Sequence, residues 1–326
     1  MDDWVISSKQ KQQSYDHLII MNRRTACKAL AISALAPQLI SCSKKPFKLR
    51  YVLSSAMYGE MALADILPEI PKTGSESLDI WRKVHANHRE QISEMGDESA
   101  RALLRKHQAK ISISTCYPLG PLGLQEEMDW LKGMGGSIIV TGSGRHPDQE
   151  PSGEAAKVQV QTFLEKMKPH VAKAEETGIT IAVENHDKQL LYHPDSLRYF
   201  AEFNKSPNLG VAFALHHLHK YVSEIPALIR DLGNEQIPFI YFQEHSAGIR
   251  EKQPKEIEMQ QMPGFGGGLD YRPVVAALRD IEYQGLVEIF MHPVPRGIPI
   301  LPTIPEITGA INQSRTYIEN CLKETA

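Results

Sequence analysis

Four short segments of this 326-residue chain concentrate side chains that ligate metals and move protons. They are Glu184-Asn185-His186-Asp187, Ala214-Leu215-His216-His217-Leu218-His219, Gln243-Glu244-His245, and Glu288 with Met291-His292-Pro293. Six of the 13 histidines fall within them. Moving a proton between adjacent carbons needs a base to remove it and an acid to return it, and a cation steadies the enediolate oxygens formed on the way. Two carboxylates facing each other, Glu184 and Glu288, could do the proton work while ligating that cation. An oxygen-rich site favours manganese or magnesium, and added histidine shifts preference toward zinc, cobalt or iron. His217 and Glu244 are the choices for the remaining metal ligands. His186, His217 and His292 are the expected substrate contacts, with His186 also able to orient a ligand. His216 and His219 read as solvated loop residues.

These segments must be held by regular elements. From Phe47 onward, short apolar runs alternate with amphipathic segments, the pattern of βα units around a parallel sheet. Eight strands are predicted: 49–54, 77–81, 110–116, 137–141, 180–184, 209–214, 237–243 and 286–290. Between the fourth and fifth, Val160, Phe163, Leu164, Met167, Val171 and Ala174 lay one apolar stripe along a helix, with Ser152 expected to cap its start and Gly178 its end. Val222, Ile225, Leu228, Ile229 and Leu232 repeat the pattern up to Gly233. Asp270 reads as an N-cap, with Pro273 in the first turn that follows. Eight such units fit a single α/β domain of the (β/α)8 TIM barrel class, in which the chemistry sits at the C-terminal strand ends. The rival doubly wound sheet lacks its glycine-rich turn here, since Ser55-Ala56-Met57-Tyr58-Gly59 follows the first strand.

Composition narrows the function. With 36 basic against 39 acidic residues and no Lys/Arg block, nucleic acid is an unsuitable partner. The cysteines at 27, 42, 116 and 321 form no C-x-x-C pair, so neither a zinc ribbon nor a disulfide framework is expected. Asn22-Arg23-Arg24-Thr25-Ala26-Cys27-Lys28 precedes an apolar stretch ending at Leu39-Ile40-Ser41-Cys42. This resembles a twin-arginine export signal over residues 1–42, with Met1 or Met21 as the start and Cys42 as a lipidation site. Residues 43–46 then form a tether and 47–326 the barrel. Without residues 1–42 the chain has 31 basic and 36 acidic residues, which again disfavours a polyanion. The expected location is periplasmic or membrane-anchored through lipid alone, and self-association stays open.

The strand-end segments resemble the xylose-isomerase-like barrels, the sugar phosphate isomerases and epimerases. The resemblance rests on Ile181-Ala182-Val183-Glu184-Asn185-His186, Gly210-Val211-Ala212-Phe213-Ala214-Leu215-His216-His217, Pro263 through Tyr271, and Gly285-Leu286-Val287-Glu288. It implies a metal-dependent carbohydrate isomerase or epimerase whose divalent cation is held by Glu, Asp, His and Glu from strands five to eight. Glu184 and Glu288 match that set. Ala214 stands where the Asp is expected, and Tyr241-Phe242-Gln243-Glu244 replaces an H-x-K-D-like run, so Glu244, His245, His216 or His217 could restore the count. A catalytically silent sugar-binding barrel and a lyase or dehydratase on the same scaffold are the alternatives. The run Gly264–Gly268 lacks the Lys-Ser/Thr of a phosphate loop and reads as a flexible turn beside the pocket.

Overall fold

The computed structural model describes residues 47–144, 150–244 and 251–326. The segments expected to be an export signal and a tether, with Cys42, and also His245, lie outside the described residues. From Phe47 to Ala326 the chain forms one compact unit. Its strands are β1 (Arg50–Ser54), β2 (Ser75–Trp81), β3 (Ile111–Thr115), β4 (Ile138–Gly142), β5 (Thr180–Glu184), β6 (Leu209–Ala214), β7 (Phe239–Phe242) and β8 (Leu286–Ile289). They make a closed barrel in chain order, sealed by parallel pairing of β1 with β8, where Val52 faces Glu288. The expected (β/α)8 architecture is the observed one.

The larger departures from the expected strand boundaries, in β7 and β2, have identifiable reasons. β7 starts at Phe239, because Pro238 has no amide to donate, and it ends before Gln243, whose side chain instead donates to Gln261 at 2.8 Å. β2 reaches back to Ser75, paired with Tyr51 across an irregularity in register.

The helices follow their apolar stripes. Helix Gly153–Thr177 buries Val160, Phe163, Met167 and Ala174 and stops at Gly178, whose φ of 72° is readily reached by glycine. Ser152 occupies the N-cap position but makes no side-chain cap; the neighbouring Gly153 amide donates to Asp195 at 2.8 Å instead. Asp270 does cap its helix, accepting from the Arg272 amide at 2.9 Å. The stripe assigned from Val222 begins in fact at Ile225: Val222 lies in a short 3-10 turn and is exposed. Gly233, at φ 68°, ends the regular part of that helix as expected.

Candidate active site at the barrel mouth

Side chains on a strand alternate direction, so residues two apart share a face. On β8 and its extension this puts Glu288, Phe290 and His292 one above another, and on β2 it does the same for Asp79 and Trp81. The lower layer is acidic and sealed. Asp79 and Glu288 are both fully buried; Asp79 Oδ2 accepts from the Thr115 hydroxyl at 2.7 Å, and the two carboxyls meet closely enough to share a proton. Burial raises both carboxyls, Asp79 to about 7 and Glu288 well above the ordinary range, Glu288 further because Asp79 is its neighbour. Above them Trp81 and Phe290 stack with ring centroids 4.9 Å apart. This aromatic layer lines a cavity of about 690 Å³.

Glu184, at the end of β5, opens into that cavity. Burial lifts its carboxyl to about 7, against the opposing pull of His186 and a bond to the Tyr117 hydroxyl. The 3-10 turn Leu215–Leu218 after β6 folds back over the mouth and brings His217 Nε2 to 3.9 Å from Glu184 Oε1. His186 and His217 face each other at 3.8 Å between ring centroids, and His216 lies 4.0 Å from His217. His186 keeps a raised pKa despite burial, because Asp187 and Glu184 favour its charge. His216 and His217 are neutral: burial drives His216 down to about 3 and His217 well below the usual imidazole range. Ligand atoms of Glu184, His216 and His217 lie within 4.8 Å of one another, as do those of His186, Asp187 and His217. Both ring nitrogens of His216 and Nε2 of His217 are buried without a hydrogen-bond partner. A carboxylate beside neutral imidazoles with free lone pairs suits a divalent transition-metal cation.

The site residues expected from the sequence therefore divide. Glu184, His186, His217 and His292 all line the cavity. Glu288 lies beneath its aromatic floor, and Phe290, two residues on, takes the place at the mouth. Glu244 points elsewhere: its oxygens accept from the Gly264 amide at 2.8 Å and the Leu269 amide at 3.3 Å. The glycine run is thus wrapped around Glu244 rather than being a free turn. His216, expected in solvent, is buried, whereas His219 is exposed as expected.

Several residues of the site carried no motif. The Tyr117 and Tyr241 hydroxyls meet at 3.3 Å. Gln261 clamps His292 from both sides, donating to its carbonyl at 3.0 Å and accepting from its amide at 3.2 Å. His85 lies 5.3 Å from His292 between ring centroids, and Arg296 joins them on the cavity wall. The period of two from Glu288 to Phe290 and His292, and from Asp79 to Trp81, was the available signal for the layers.

Residues 69–304 match the family described as xylose isomerase-like TIM barrel. The chain belongs to that family. Among solved structures, the IolI protein with a bound zinc atom is 15% identical, with 85% of this chain and 99% of that one covered and a TM-score of 0.63. A D-psicose 3-epimerase crystallised with D-fructose is 12% identical over 84% of this chain and 99% of that one, TM-score 0.62. The 3-keto-D-glucoside 4-epimerase YcjR from E. coli is 13% identical over 82% and 100%, TM-score 0.60. At such identities the likeness is one of fold. No curated protein matches the chain.

Proposed function

We propose that this barrel is a carbohydrate isomerase or epimerase that moves a proton between adjacent sugar carbons. The observation that carries the reading is Glu184: a buried carboxyl opening into the cavity beside the His217 imidazole, placed to take and return a proton. Trp81 and Phe290 give the cavity an apolar lining on which the C–H groups of a sugar can pack. His186, His217 and His292 supply polar contacts to its hydroxyls. Glu184, His216 and His217 would hold a divalent cation, which when bound stabilises negative charge on the substrate oxygens. The epimerases of similar fold support the choice of substrate class.

The test follows solvent exchange. Purified protein supplied with zinc, cobalt or manganese is incubated with D-fructose, D-allulose and L-ribulose in D2O, and deuterium at the carbon next to the carbonyl is read by NMR. Metal-dependent incorporation that Glu184→Gln abolishes is expected. Absence of exchange together with absence of stoichiometric metal would overturn the reading and favour a silent sugar-binding barrel. That second reading is motivated by Ala214 and Tyr241 at positions where metal ligands are expected, and by Glu288 beneath the floor.

From the sequence alone we also propose that residues 1–42 direct export and that Cys42 carries the lipid anchor. Cys42→Ser should then release the protein from the membrane fraction of its host, whereas wild-type protein found wholly in the cytoplasm would refute both.

A further inference from the structure

The segment after β8 runs Met291-His292-Pro293-Val294-Pro295-Arg296-Gly297 and carries one strong charge into the cavity. Arg296 is half-buried and forms no ion pair among the described residues; its Nη1 donates to the Pro293 carbonyl at 3.0 Å. Burying a guanidinium without a counter-ion is costly, and here burial does pull it down, to about 10. Yet the loop is built to hold it there. Gln261 clamps the His292 backbone, and the Ile300 amide donates to the Met57 carbonyl at 3.0 Å. Gly59 packs so tightly against this loop that a Cβ would sit 2.5 Å from the Gly297 carbonyl oxygen. A pre-positioned, unpaired guanidinium facing a cavity is complementary to an anion that arrives with the ligand.

Its surroundings agree. His85 and His292 stand beside it and stay neutral, each lowered by burial and then by the Arg296 charge, and the buried Nδ1 of His292 has no hydrogen-bond partner. The carboxyls Glu184 and Asp187 belong instead to the β5 end of the mouth. Arg296 thus stands on the β8 side of a cavity whose carboxyls Glu184 and Asp187 lie at the β5 end, with Glu251 also on the wall.

We propose that Arg296 is an anion-recognition residue, and that the cavity takes a carbohydrate bearing a carboxylate or phosphate group set against Arg296 and His292. This deepens the proton-transfer reading by naming the substrate class, and rests on it only for the carbohydrate part.

Binding of inorganic phosphate, D-glucuronate and D-glucose is measured by titration calorimetry at low salt with wild type, Arg296→Gln, Arg296→Lys and Glu184→Gln. At least one anion should bind about tenfold more tightly than D-glucose. Arg296→Gln should erase that preference without lowering the melting temperature, and Arg296→Lys should retain part of it. Preference for phosphate identifies a phosphate ester, and preference for D-glucuronate a sugar acid. Equal binding of anions and D-glucose, or an anion preference untouched by Arg296→Gln, would overturn the proposal. Glu184→Gln should leave the anion preference intact. Absence of solvent exchange in the wild type with the anion preference present would thus count against the proton-transfer reading alone, and exchange without an anion preference against the role of Arg296 alone.

Discussion

The hydroxyls of Tyr117 and Tyr241 lie 3.3 Å apart, and the pair stands beside both carboxyls that the sequence suggests should meet. Tyr117 interacts with Glu184, while Tyr241 feels the charge of both Glu288 and Glu184. Tyr241 occupies the β7 position where the resemblance implies a histidine ligand. Burial raises both phenols well above the usual range, so each remains a neutral donor. Because each hydroxyl is interior, the contact should show as coupling. Tyr117→Phe and Tyr241→Phe measured singly and together by urea unfolding should give an interaction energy of about 0.5–1.5 kcal/mol. Strict additivity would mean that the hydroxyls do not support each other.

Asp79 and Glu288 should impose a pH dependence on stability. Their folded pKa values are raised, so between about pH 4, where a free Asp titrates, and about 7, the value for folded Asp79, the folded state holds a proton that the unfolded chain has released. That contribution to stability is present at low pH and is lost as pH rises, by up to about 1.4 kcal/mol per unit. Asp79→Asn can still accept from Thr115 but does not ionise. Relative to wild type it should gain stability progressively from pH 4.5 to 7.5 in urea titrations. A constant difference across that range would contradict the assignment.

Glu244 is expected to be structural. Glu244→Gln replaces one of two acceptor oxygens with a donor facing backbone amides, which should cost about 1–3 kcal/mol. Metal content, read by elemental analysis, should not change. Loss of metal with unchanged stability would restore Glu244 to the ligand set.

Glu184→Gln should behave in the opposite way. Removing an ionisable carboxyl from a site that disfavours its charge should leave the melting temperature at pH 8 equal or higher. Turnover should fall by about 10²–10⁴, the usual worth of a general base. Unfolding of the variant would make Glu184 a structural carboxylate instead.

The order of the eight strands, the stop at Gly178 and the cap at Asp270 were legible in the sequence, because each depends on periodicity or on a residue's own backbone preference. The wealth of acid and imidazole groups at the strand ends was legible for the same reason. Which of those groups share a site was not. Glu184 and Glu288 look equivalent as carboxylates near the end of an apolar strand, yet one opens into the cavity and the other lies under Trp81 and Phe290. That difference comes from barrel register, which sets the height of each strand end around the ring and appears in no single segment. His216 and Arg296 likewise owe their places to loops whose paths are decided by distant partners, the turn over the mouth for one and Gly59 with Gln261 for the other. Local sequence thus determined the scaffold and the inventory of reactive groups. Long-range packing decided which of them face one another, because side-chain direction at a strand end depends on neighbours far away in the chain.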